Sequence, residues 1–329
     1  MPDFSSTIPD VHINVSSSFV GSLIQTQREK LFTGLMRLRY ASGQNLVFSF
    51  LDGIQQKLYR SRQENVEVIP RQSWSSYMDS PDASIGFLDL PLEALRLMRV
   101  AYEAPIIAIE RTNSSVKDLF NNAEKWMAEP SPSIIHIAGE SVNRLYLIAG
   151  NSVPILEELV FEGSQTHFSI NGSSFPSSLP QAVYQVSRYS SDNNYDVWQE
   201  YQLRFAFNPL MHVQITRFSE LTGRVLTERL CEQLSTRIRD WGWKINITTN
   251  GIANHHYFAS LGEAKAAYLE IVRSFNSLAS PAIGSRMTNG LARDSLLKLS
   301  PYQRTLLQRH IYDLYDSENA ATRAGGMQS

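Results

Sequence analysis

Cysteine is nearly missing. Cys231 is the one cysteine among 329 residues, which excludes an internal disulfide framework and any multi-cysteine zinc site. Long apolar runs are missing too. The longest candidates, PIIAIE and SIIHIAG, are strand-sized, far short of the ~20 residues that a membrane-spanning helix needs. Neither sign of charge dominates: 30 basic and 32 acidic residues leave a net charge of -2 and a pI near 6.4. A dedicated nucleic-acid binder carries a clear basic excess, so no nucleic-acid partner is expected. The opening MPDFSSTIPDVHINVSSS has neither the basic start nor the apolar centre of a secretory signal. A cytoplasmic protein without a membrane partner is expected, in which the sequons at Asn14 and Asn246 are chance matches. No Gly-x-x-x-x-Gly-Lys and no Gly-x-Gly-x-x-Gly occurs, so the standard phosphate cradles are absent.

What remains is ordinary globular material, 43% hydrophobic and 19% charged, enough for about two domains. Ser16 to Ser18 can cap a helix from Phe19 to Lys30, with Phe19, Val20, Leu23 and Ile24 on one face. From Met36 to Tyr40 the residues alternate, Met36, Leu38 and Tyr40 against Arg37 and Arg39, as in a strand. ASGQ then supplies a turn, NLVFSF a returning strand, Asp52-Gly53 a second turn and IQQKLY a third strand. DLPLEALRLMRVAYEA reads as a helix with Pro91 in its first turn.

LFTGLMRLR (Leu31–Arg39), SGQNLVFSF (Ser42–Phe50) and DGI (Asp52–Ile54), set behind a short helix and before another, resemble the PatA amino-terminal (PATAN-type) domain family of bacterial signalling proteins. The resemblance covers roughly residues 18–105. It implies an α+β domain that serves protein–protein interaction, and it brings no catalytic residues.

Beyond it, Asn113 to Ser115 can cap a helix through Trp126 and Met127 that ends before Pro130. Strands are expected at SIIHIA, RLYLIAG, within VPILEELVF and at THFSIN. Asn171 to Asp196 reads as a long loop with a short helix at LPQAVYQVS. Asn208 as cap and Pro209 at the first helical position predict the start of a long helix to Trp241, with a break marked by Gly223 and an end at Gly242. That helix is expected to lie along the second domain's sheet. A strand at WKINITT, an element beginning at HYFAS, the helix LGEAKAAYLEIVRSFNSLA, and helices over Met287–Leu299 and Pro301–Tyr315 complete the chain. The fold class is α+β: a small antiparallel meander with helices, then a second α+β domain with a long helix and a helical C-terminus. The expected organisation is a disordered 1–17, a domain over 18–110, a second over 111–280, C-terminal helices over 281–316 and a disordered tail over 317–329. The two domains should separate near 105–115.

Candidate sites are few. His255 and His256, beside Asn254, are adjacent and diverge in any regular backbone, so polar surface residues are expected rather than a metal site. GESVN (Gly139–Asn143) lacks the second glycine of a nucleophile elbow. Cys231 sits in a helix between Leu230 and Leu234 as a small packed residue. Glu157 and Glu158 are expected to be solvated. Arg224, Arg229, Arg237 and Arg239 interleave with Glu220, Glu228, Glu232 and Asp240, the pattern of an exposed helix face. The helices over Met287–Tyr315 either pack on the second domain or present a docking groove. No catalytic, cofactor-binding or metal-binding residue follows. A non-enzymatic module that binds other proteins in bacterial signalling is expected. The alternatives are an enzyme whose site is dispersed in sequence, and a DNA-binding regulator that uses the C-terminal helices.

Overall fold

In a computed structural model, residues 8–15, 17–62, 65–75, 83–140, 142–148, 156–162, 165–170, 179–192 and 194–312 are described. The class is α+β, and the chain divides into two compact units, Met1–Trp198 and Gln199–Ser329.

The first unit begins with β1 (Asp10–Val15), α1 (Ser17–Glu29), β2 (Gly34–Tyr40), β3 (Asn45–Leu51), β4 (Ile54–Arg62), β5 (Asn65–Val68), β6 (Ala83–Asp89) and α2 (Leu92–Glu103). The expected meander is β2-β3-β4. Both central residues of its Asp52-Gly53 turn have positive φ, 50° and 76°, as a two-residue hairpin turn with the twist of its strands requires. The meander is half of a larger antiparallel sheet, ordered β1-β6-β2-β3-β4-β5. Asp10 of β1 pairs with Arg37 at 2.6 Å and also with Arg39, clasping the edge to the centre. The segment expected to be disordered over 1–17 therefore contains an edge strand. Met36, Leu38 and Tyr40 face a core shared with Phe48, Phe50, Ile85 and Val20 of α1, as their alternation predicts. Tyr102 of α2 stacks on Tyr59, ring centroids 4.8 Å apart, and the Tyr59 hydroxyl donates to Glu103 at 3.0 Å.

The unit continues with β7 (Ile106–Ser115), α3 (Val116–Ala128), β8 (Ser133–Ala138), β9 (Asn143–Ile148), β10 (Leu156–Glu162), β11 (Gln165–Ile170) and β12 (Val183–Ser191). These strands form a second antiparallel sheet, ordered β11-β10-β9-β8-β12-β7. Ser115 caps α3 through a reciprocal pair of bonds with Asp118, as the cap signal implied. Trp126 and Leu119 of α3 pack on Ile135, Tyr146 and Val186 of the sheet. One expectation fails here. LPQAVYQVS is no helix: Val183–Ser191 is a strand between β8 and β7, and Tyr184, Val186, Tyr189 and Ser191 are buried. RTNSS is the far half of β7, an edge strand whose exposure tolerates polar residues. The boundary expected near 105–115 thus falls between two sheets of one unit.

The second unit holds most of α4 (Asp196–Thr222), then α5 (Arg224–Asp240), β13 (Ile245–Thr248), β14 (Gly251–Asn254), α6 (Leu261–Ile283), α7 (Ser285–Leu297) and α8 (Pro301–Leu307), which runs into a π-helical turn, Gln308–Tyr312. Pro209 does not open a helix but lies inside α4. A proline in that position removes one backbone bond, a cost the surrounding helix absorbs. The first turns were illegible because Val197 to Arg204 are all buried, leaving no polar face to set a period. The break falls at Gly223, as its position signalled. Within its unit α5 packs on α6 and on the β13–β14 hairpin, in place of the expected sheet. The Ser235 hydroxyl donates to the Ile247 carbonyl at 2.9 Å and accepts from the Ile247 amide at 3.0 Å. HYFAS is the approach to α6, with Ser260 as its cap. The last residues of the helix expected over Pro301–Tyr315, and the tail over 317–329, lie outside the described residues.

Candidate functional site

The residues singled out by sequence do not come together. His255 is exposed, and His256 sits edge-on to Phe258 with ring centroids 4.6 Å apart. Among the described residues no group of three or more His, Cys, Asp or Glu is placed to hold a metal ion. The Gly139–Asn143 turn is a tight connection between β8 and β9, closed by the Gly139 amide on the Val142 carbonyl at 2.7 Å. Its Ser141 lies outside the described residues. Asn143 and His136 hydrogen-bond at 2.8 Å, and burial of the His136 ring holds its pKa below the usual histidine range.

Glu157 and Glu158 correct an expectation: both are buried, not solvated. They are neighbours on β10 and so face opposite sides of the sheet. Glu158 accepts from Arg144 at 2.9 Å, the Tyr146 hydroxyl at 2.8 Å and Ser169 at 3.2 Å. A buried carboxylate needs such partners. Desolvation pushes the Tyr146 phenol above its ordinary value. Every member of this cluster is committed to another, so it ties β9, β10 and β11 together.

Cys231 is buried in α5, as expected. Burial, and then the charge of Glu228, push its thiol up to about 11 from an ordinary 9.0. The folded state favours the neutral thiol. Its contribution to stability is therefore full below pH 9 and is lost as pH rises toward about 11. Urea midpoints of the parent and Cys231→Ala should differ by a constant amount up to pH 9 and converge above it. A gap that widens with pH would contradict the burial.

Arg224 and Glu228 pair on the surface of α5 at 2.6 Å, while Arg229, Arg237 and Arg239 are exposed among Glu232 and Asp240. The two units differ in charge, which composition of the whole chain hides. Residues 1–198 hold 15 basic and 21 acidic side chains, and 199–329 hold 15 and 11.

The feature with the clearest capacity for binding is one that sequence patterns did not reveal. β7 pairs with β12 from Val183↔Ser115 to Ser191↔Ile106 and is the last strand in its sheet. Among the described residues no strand pairs with its outer edge. Ile107 and Ile109 are 61% and 46% exposed, and Ala108 and Glu110 to Asn113 are exposed between and beyond them. The strand is held in place from behind. Arg188 of β12 reaches Glu110 at 3.6 Å, pairs with Glu129 and lies over the Trp126 ring at 5.7 Å. A register irregularity at Ile106–Ala108 bends the end of the strand. An ordered, extended edge with apolar side chains is a template for a further strand.

No helix among the described residues is long and apolar enough to cross a membrane. No family model matches the chain, and neither the curated proteins nor the solved structures contain a significant match.

Proposed function

We propose that this chain is a non-enzymatic, cytoplasmic protein-binding module, an adaptor in bacterial signalling, and that it captures an extended segment of its partner along β7. One observation carries this: a strand of ten residues, anchored behind by Arg188, has no strand on its outer edge among the described residues and exposes two isoleucines. Strand addition supplies backbone hydrogen bonds for affinity, and side chains such as Ile107, Ile109, Glu110 and Arg111 would supply selectivity. The resemblance of residues 18–105 to the PATAN-type family agrees with an interaction role.

The experiment uses the full chain as bait in a lysate, beside Ile107→Lys/Ile109→Lys. Lysine on an exposed edge keeps the fold while blocking strand addition. A partner captured by the parent should be depleted about ten-fold or more with the variant, as expected for loss of a docking element. Adding that partner should slow amide hydrogen exchange in residues 106–115. An identical captured set from both baits, with exchange at β7 unchanged, would overturn the proposal.

A further inference from the structure

A groove of about 400 Å³ lies in the second unit between the end of α4 and α7. Arg217, Glu220 and Leu221 line one wall, and Met287, Gly290 and Asp294 the other. The wall on α7 follows helical spacing, 287, 290 and 294, so these three residues share one face. The apolar side chains at the groove are not part of the core: Leu221 and Met287 are each 51% exposed. Leu291, beside them in α7, points inward and is buried, which anchors the groove floor.

Gly290 is the informative residue. Glycine in a helix interior costs about 1 kcal/mol relative to alanine. Nothing among the described residues demands it, because a Cβ built there meets no atom within 4 Å. The space above Gly290 is open, and it opens into the groove. A bare stretch of helix backbone flanked by two exposed apolar side chains suits close approach by something else. Methionine adds a flexible, polarizable surface of the kind used to grip apolar helix faces.

Charge selects the occupant. Arg217 and Glu220 pair with each other at 2.7 Å. Asp294 has no ion-pair partner among the described residues, and it stands one helical turn beyond Gly290. We propose that the groove binds an amphipathic helix of a partner protein. Its large apolar residue seats over Gly290 between Leu221 and Met287, and a Lys or Arg three or four positions along pairs with Asp294. This site is separate from the β7 edge and does not depend on it.

The test uses the full chain and two synthetic helical peptides. Both carry leucines at i, i+3, i+4 and i+7; one has lysine at the remaining positions, the other glutamate. Binding is followed by fluorescence anisotropy at moderate salt. The lysine peptide should bind at least about ten-fold tighter than the glutamate peptide. Gly290→Leu, which fills the groove, should weaken it by a similar factor, and Gly290→Ala should raise helix stability while weakening it less. Asp294→Lys should remove the preference for the lysine peptide. A thermal melt confirms that each variant is folded. Failure of both peptides to bind, equal binding of both, or binding indifferent to Gly290→Leu would each overturn the proposal. So would capture of a compact apolar small molecule at this groove in place of the peptide.

Discussion

Gly34→Ala is expected to destabilise the first sheet by about 3–5 kcal/mol, combining overpacking and backbone strain. Gly34 opens β2 and is paired on both sides, with Phe50 of β3 and Asp89 of β6. A Cβ there would fall on the Leu88 carbonyl oxygen, far inside van der Waals contact, and 2.9 Å from the Phe32 ring. Its φ of 151° is also one that side chains disfavour. Neither neighbour can yield. Leu88 is backbone in a central strand, and Phe32 is wedged against Phe50 and Phe87 at centroid distances of 5.8 and 6.0 Å. Against a typical total of about 5–15 kcal/mol, such a loss leaves the sheet near its folding threshold. Gly43→Ala is the control. Its φ is 78° but a Cβ there meets nothing within 4 Å, so only strain of about 1 kcal/mol applies. Urea unfolding with hydrogen exchange read in β2, β3 and β6 separates the two. Equal midpoints for both variants would contradict the register around Gly34.

The parts of this fold that sequence makes legible are those with a contrast in residue type and a marked turn or cap. β2 alternates apolar residues with Arg37 and Arg39, and Gly43 and Asp52-Gly53 punctuate the meander of β2, β3 and β4. Ser115 and Ser300 announce their helices by capping boxes. The parts that stayed hidden lack such contrast. β12 has buried residues on both faces over its second half, so VYQVSRYSS loses its alternation. β6, between β1 and β2, is recruited from residues 83–89 by pairing that no local pattern encodes. β7 is part apolar and part polar because it lies at an edge, and edge position is a property of strand order alone. The candidate sites share that limit. The spacing of Met287, Gly290 and Asp294 is plain in the sequence, but only the packing of α7 against its neighbours decides that this face stays open. The carboxylate of Glu158 looked solvated because its partners, Arg144, Tyr146 and Ser169, arrive from two other strands.

Leu234→Ala should cost the second unit about 2–5 kcal/mol, and toward the upper end of that range. Leu234 is fully buried in a core with Leu230, Ile238, Ile247 and Phe275. The cost of a cavity depends on how far the surrounding core can collapse, and several members of this core are held in place. Ser235, the next residue, is bonded both ways to Ile247 of the hairpin. Phe275 is held edge-on to Phe218 at 6.1 Å, and Phe207 stacks on Tyr268 at 4.1 Å. A void at Leu234 therefore persists and forfeits its contacts outright. Arg229→Ala and Arg237→Ala sit on the exposed face of the same helix and should change stability by no more than about 0.5 kcal/mol. The readout is urea unfolding followed by the fluorescence of Trp241 and Trp243, whose rings lie 4.9 Å apart at the end of α5. A loss below about 1 kcal/mol for Leu234→Ala would mean that the site collapses freely. The contacts joining α5 to the hairpin would then not be the ones that hold this unit together.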